Sequence, residues 1–289
     1  MSEPAIVMTG VTARRGAFQL GPLDWTVPRG SVVAFIGPNG AGKTTTLDLL
    51  MGLGRPDAGG IEMTGLRQPV DEVAVKAKVA YVNPDLNYIA WGRVGRAIDF
   101  ISGFYPDWSS ARCERLLADF DLDRGQRISA LSFGARIKLS LVMALSRDAE
   151  ILLLDEPTVG LDVTARQKLF SEILEFMQRE GRTVVISSHQ LTDLERLADQ
   201  VAILDGGRLL TMGRMDELVD RYVQIDARLT AGALPAMDGV RLMARDADRV
   251  RLLLDRTLAD EADLSRGGLE ILARTPLTLE DLFVALVAK

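Results

Sequence analysis

Apolar residues in this chain gather in short unbroken runs, and each run stops at a turn or a helix signal. Val32-Val33-Ala34-Phe35-Ile36 leads into a glycine-rich loop, and Ile151-Leu152-Leu153-Leu154 ends in two acids. Val184-Val185-Ile186 ends in Ser-Ser-His, and Val201-Ala202-Ile203-Leu204 ends in Asp-Gly-Gly. Runs with no polar alternation suit strands buried on both faces, as in a largely parallel sheet. Between two of them, Leu169, Ile173 and Phe176 fall on one helical face. Asp205-Gly206-Gly207, set between apolar pairs, reads as a hairpin turn. These patterns predict an α/β fold with a doubly wound sheet.

The pattern changes after residue 220. Val223, Ile225, Ala227 and Leu229 alternate with polar neighbours, as in a half-buried strand, and Leu279, Leu282, Phe283, Leu286 and Val287 form a closing helical stripe. The expected organisation is one large α/β domain over residues 1–220 and a small α/β appendage over 221–289. A second change lies at 81–108, which holds seven of the sixteen aromatic residues. Within it Phe100 and Phe104, spaced i to i+4, are expected in the core of a small helical subdomain. Tyr88 and Trp91 precede any clear helix and are the better candidates for a partner's groove.

Composition narrows the class. The 289 residues are 47% hydrophobic and 26% charged, enough for a full-sized core and unlike a disordered chain. A net charge of −6 gives no basic footprint for nucleic acid. The single cysteine, Cys113, cannot close an internal disulfide, which fits a cytosolic chain. No apolar run nears the ~18 residues that cross a bilayer, and no secretory signal is expected at the N-terminus. Any membrane role is therefore expected to come through a partner.

Gly37-Pro38-Asn39-Gly40-Ala41-Gly42-Lys43-Thr44 fills every fixed position of the phosphate-loop motif, and Thr45 follows. Glycines let successive N–H groups turn toward phosphate oxygens, and the helix that follows adds its positive dipole end. Lys43 is placed for the β- and γ-phosphates and the Thr44 hydroxyl for Mg²⁺. Asp155 suits the magnesium shell, and Glu156 is the candidate to orient the water that attacks the γ-phosphate. His189, the only histidine, follows a strand's carboxyl end, where open α/β sheets bind ligands. It is expected to face the γ-phosphate or the attacking water.

Leu131-Ser132-Phe133-Gly134-Ala135 opens a helix that Ser132 can cap. With the elements above it resembles the signature motif of ABC ATPases. The order is also theirs: phosphate loop, aromatic-rich insert, signature, the two acids, a D-loop at Val159-Gly160-Leu161-Asp162, then His189. The C-terminal segment through Leu279-Glu280-Asp281-Leu282-Phe283 looks like that of bacterial drug, antibiotic and lipid exporters of the ABC-2 type. The resemblance implies a P-loop NTPase fold with a mixed sheet core and a helical subdomain near residues 86–148. It implies a head-to-tail homodimer that sandwiches ATP and Mg²⁺, in which Ser132 and Gly134 of one copy complete the other's site and Asp162 lies at the seam. It also implies an integral-membrane subunit on a separate chain, no nucleic acid, and a cytoplasmic place on the inner face of the cell membrane.

Three positions depart from the family pattern. Asn83-Pro84-Asp85 stands where a glutamine is usual, so either Asn83 or Asp85 could supply a magnesium or water contact, or none is made. Ala135 replaces a glutamine, and Arg15 stands where an aromatic stacks on adenine, with Phe18 as the alternative. A soluble ATPase acting on DNA or ribosomes would call for a second cassette, a long heptad insert or a basic surface, and the chain has none of them. A structural clamp that binds ATP with little turnover finds support in the three departures alone.

Overall fold

The computed structural model describes residues 3–188, 191–230 and 237–287, and the chain divides into two compact units. The first comprises Met1–His189 with Leu204–Leu209. It opens with strands β1 (Ile6–Arg15) and β2 (Phe18–Val27), followed by β3 (Val32–Ile36) and helix α1 (Lys43–Met51). Then come β4 (Ala58–Met63), β5 (Leu66–Gln68), α2 (Glu72–Lys78) and β6 (Val79–Val82). Three helices follow, α3 (Val94–Ser102), α4 (Ser110–Asp119) and α5 (Phe133–Leu145), and then β7 (Ile151–Leu154), α6 (Val163–Met177) and β8 (Thr183–Ser187).

Two sheets organise this unit. β1 pairs antiparallel with both β2 and β4, giving the order β2-β1-β4-β5. The apolar runs make the other sheet, where β3, β8, β7 and β6 lie side by side and parallel, with Val32 opposite Val184, Leu154 opposite Ile186 and Tyr81 opposite Leu153. All residues of β3, β6, β7 and β8 are buried, as strands without alternation demand. Parallel pairing brings the carboxyl ends of β3, β7 and β8 to one edge, and the candidate chemistry sits there.

The aromatic-rich stretch corrects an expectation. Phe100 and Phe104 do not form a core, since they are 45% and 65% exposed. Trp91 stacks on Phe100 at 3.9 Å between ring centres, and Phe104 meets Phe100 edge-on at 5.0 Å. The buried face of α3 is built instead from Val94, Gly95, Ala97 and Ile98. An i to i+4 spacing places two side chains on one face, but the spacing does not say that the face is the inner one.

The second unit comprises Gln190–Ile203 and Leu210–Lys289. Along the chain come α7 (Leu191–Leu194), β9 (Gln200–Asp205), β10 (Arg208–Arg214) and α8 (Met215–Arg221). They are followed by β11 (Tyr222–Leu229), β12 (Val240–Asp246), β13 (Arg249–Asp255), α9 (Glu261–Arg266), β14 (Leu269–Pro276) and α10 (Leu279–Val287). The last four strands form an antiparallel sheet in the order β12-β13-β11-β14. Val223, Ile225, Ala227 and Leu229, the alternating residues of the sequence, line its core with Leu252, Leu254 and Leu264.

Candidate functional site

The phosphate loop joins the buried strand β3 to α1, and its glycines answer to specific neighbours. Gly42 takes φ 108°, and a Cβ on it would lie 2.8 Å from the Phe18 ring. On Gly37 a Cβ would lie 2.3 Å from the Leu204 carbonyl oxygen. No side chain can be added at either place without moving backbone or a packed ring. Lys43 is 6% exposed, and its ammonium donates to the Gly37 carbonyl at 2.7 Å and stands 3.6 Å from the Glu156 carboxylate.

Asp155 follows β7 and is 2% exposed, so its charge must be met by donors. The Thr44 hydroxyl donates to one of its oxygens at 2.6 Å. The Ser187 hydroxyl donates to the other at 2.6 Å and also accepts the N–H of Glu156 at 2.9 Å. Glu156 is held at φ 45°, the left-handed region that residues other than glycine seldom occupy. Ser187 therefore fixes the backbone next to one carboxylate while it bonds to the other. The sequence reading assigned it no role. Its only signal there was a serine ending the strand that turned out to lie beside β7.

A cleft of about 400 Å³ opens over these groups, lined by residues 38–45, Glu156, Arg15 and Phe18. The candidates drawn from three distant stretches of the chain thus meet at one place. Its chemistry is legible: a cation and a ring of backbone amides for phosphates, a hydroxyl and a carboxylate for a hard metal ion, an acid, and two flat side chains for a base.

Other candidates lie elsewhere. The Asn83 amide donates to the Tyr81 hydroxyl at 2.7 Å, and its carbonyl oxygen accepts the Asp85 N–H at 2.7 Å. Tyr81 in turn donates to the Asp48 carboxylate at 2.9 Å. Burial, with the nearby Asp155 and Asp85 charges, outweighs that bond and the Arg15 charge and leaves the Asp48 carboxyl above its ordinary value. Neither Asn83 nor Asp85 lines the cleft. Ser132 caps α5 by accepting the Ala135 N–H at 3.2 Å. Gly134 packs so closely on the D-loop that a Cβ would sit 2.1 Å from the Gly160 carbonyl oxygen. Asp162 caps α6 through the Ala165 N–H at 2.8 Å, a bond that, ahead of the Lys138 ammonium at 3.4 Å, holds its carboxyl below the usual range. None of these three belongs to the cleft of its own chain. His189 lies outside the described residues.

The phosphate loop on a parallel α/β sheet, with its acids at the neighbouring strand end, defines a P-loop ATPase of the ATP-binding-cassette class. Comparison with known proteins agrees. Residues 20–159 match the ABC transporter family. The chain is 31% identical to the Nod factor export ATP-binding protein I of Burkholderia lata, over 92% of this chain and 91% of that protein. It is also 31% identical to the daunorubicin resistance ATP-binding protein DrrA3 of Streptomyces coeruleorubidus, over 97% and 92% of the two chains. A solved ATP-binding subunit of an ABC transporter superposes with a TM-score of 0.68 at 27% identity, covering 75% of this chain and 92% of that one. The chain belongs to the ABC transporter family and is an ATP-binding subunit with ATPase activity.

Proposed function

We propose that this chain is the motor of a membrane exporter, hydrolysing ATP as a head-to-tail homodimer bound to an integral-membrane subunit on the cytoplasmic face. The observation that carries this reading is the meeting of Lys43, Thr44 and Glu156 around one cleft, with Asp155 bonded to Thr44 beneath it. Lys43 and the loop amides hold the β- and γ-phosphates, and Glu156 orients and polarises the attacking water. The Thr44 hydroxyl and the Asp155 carboxylate, 2.6 Å apart, are the oxygen groups that would hold Mg²⁺. When bound, that ion neutralises phosphate charge. His189 is the candidate to meet the γ-phosphate or the attacking water. Ser132 and Gly134 complete the site of the other copy, and Asp162 lies at the dimer seam. In this reading residues 1–220 are the cassette, with the helical subdomain near 86–148, and residues 221–289 are an appended domain.

Export rests on similarity to two relatives whose names carry it or drug resistance. A second reading, an ATP clamp with little turnover, draws on Asn83, whose amide is already bonded to Tyr81 and Asp85. The Glu156→Gln variant separates the two. It removes the carboxylate while leaving Lys43 and the amides, so ATP binding is expected to persist, turnover to collapse, and an ATP-bound dimer to accumulate. Equal, slow turnover in wild type and variant would favour the clamp, and hydrolysis at a brisk wild-type rate in the variant would remove Glu156 from its role.

A further inference from the structure

The appended sheet buries one face in its core and carries a hollow on the other. Val250, Leu252 and Leu254 of β13 turn toward the core, so Arg249 and Arg251 turn the opposite way. Strand register extends that outer face across the sheet. One row runs Ala244, Arg251, Asp226, Ala273, and the next runs Asp246, Arg249, Arg228, Glu270. Directly opposed residues of antiparallel strands share a face. Both edge strands bulge beside the first row, β12 between Leu242 and Ala244, and β14 where its pairing to Asp226 and Ala227 skips Leu272. A bulge bends its strand and re-aims a side chain. The two bulges flank a hollow of about 470 Å³, a volume that suits a small organic molecule. Leu272, thrown out of register and 44% exposed, gives it an apolar wall, and Ala244 fills little of it.

Charge in the hollow is unevenly answered. Three arginines and two aspartates line it, an excess of one cation in a chain of net charge −6. Arg251 pairs with Asp226 at 3.0 Å, and the neighbouring Arg228 pairs with Asp248 at 3.3 Å and Glu270 at 3.4 Å. Arg249 lies between these pairs, and its guanidinium has no hydrogen bond or ion pair among the described residues. Asp246 stands opposite it in register without closing an ion pair. Arg245, also on the wall, gives its Nε–H to the Ala247 carbonyl at 3.3 Å and meets no carboxylate among the described residues. A planar guanidinium left without a carboxylate matches an incoming carboxylate or phosphate in geometry.

We propose that this hollow binds a small organic anion, with its carboxylate or phosphate on Arg249 and Arg245 and its apolar body on Leu272. All of its lining residues belong to the second unit and none to the nucleotide cleft, so it is a separate ligand site. It does not depend on the transporter reading.

The test uses the full chain, with Mg-ADP saturating the nucleotide cleft and two probes, naphthoate and naphthyl phosphate. Calorimetry is expected to show one site of submillimolar affinity for at least one probe, and the tighter of the two assigns the head group. Naphthalenemethanol, which has the body without the charge, is expected to bind at least about tenfold more weakly, as a ligand without the charge-assisted bond does. Arg249→Gln is expected to weaken the anion about tenfold or more for the same reason. Its ADP affinity is expected to stay within about twofold of wild type, because Arg249 is not part of the cleft. Arg249 is exposed, so the variant should keep its fold, which thermal melting checks. Should it unfold, Leu272→Ser decides the matter, since it keeps the cations and is expected to weaken the anion about three- to tenfold through lost apolar contact. No binding of either anion at millimolar concentration overturns the proposal. So does unchanged affinity in a folded Arg249→Gln variant, or equal affinity for the uncharged alcohol. Each of these leaves the ATPase assignment and the transporter reading standing.

Discussion

Removing the Ser187 hydroxyl is expected to slow hydrolysis without weakening ATP binding. That oxygen makes two contacts, a donated bond to the buried Asp155 carboxylate at 2.6 Å and an accepted one from the Glu156 N–H at 2.9 Å. A hydrogen bond to a charged group is worth about 1.5–3 kcal/mol, and each ~1.4 kcal/mol in a barrier is a factor of ten in rate. If the loss is felt at the hydrolytic step, Ser187→Ala lowers kcat by roughly ten- to a hundredfold. Phosphates are held by Lys43 and the loop amides, so KM for ATP should stay within about twofold. The ground state also loses a buried bond, and about 2 kcal/mol lowers Tm by roughly 4–8 °C in a chain of this size. Ser187→Thr returns the hydroxyl and should recover most of the rate. Steady-state phosphate release and thermal melting of the purified chain measure both quantities. A kcat within twofold of wild type for Ser187→Ala would refute the reasoning, because it would show that neither acid depends on this contact.

Gly134→Ala should destabilise the isolated subunit by about 1–3 kcal/mol, since its Cβ would lie 2.1 Å from the Gly160 carbonyl oxygen and backbone cannot yield cheaply. An unchanged melting curve would leave the partner's nucleotide as the sole reason for this glycine. Replacing Arg15 and Phe18 together by alanine should weaken ATP and GTP alike, by about 1–3 kcal/mol, because stacking tolerates any base. Calorimetry showing unaltered affinity for both would take these residues out of the base site. In the second unit, burial raises the Asp255 carboxyl, but its paired bonds from Arg221 and those from Thr257 outweigh burial and hold it at about 2, below its ordinary 3.8. A depressed carboxyl stabilises the fold at neutral pH and loses that contribution as pH falls through its folded value. Asp255→Asn should therefore cost on the order of 2 kcal/mol at pH 7, with the gap to wild type closing between about pH 4 and 2. Parallel denaturation curves at all pH values would contradict that linkage.

The residues legible in the sequence are those whose chemistry is local. A phosphate loop works through consecutive backbone amides, so its requirements are written in eight adjacent residues, and a fully buried parallel strand needs an unbroken apolar run. The loop, the pair Asp155 and Glu156, and strands β3, β7 and β8 could be read in this way, and β11 by its alternation. Tertiary structure alone decided the features that depend on two distant segments meeting. Ser187 matters because parallel pairing sets β8 beside β7, 32 residues away from Asp155 in the chain. Gly134 is demanded by Gly160, and Asn83 is turned from the cleft by Tyr81. Phe100 and Phe104 show the same limit, since their spacing fixed a shared helical face but only packing could leave that face in water. Arg147 reads in the sequence as one surface charge among many. Its burial beside Tyr105 at the end of α2 follows from three segments converging, and long-range convergence leaves no periodic trace in a sequence.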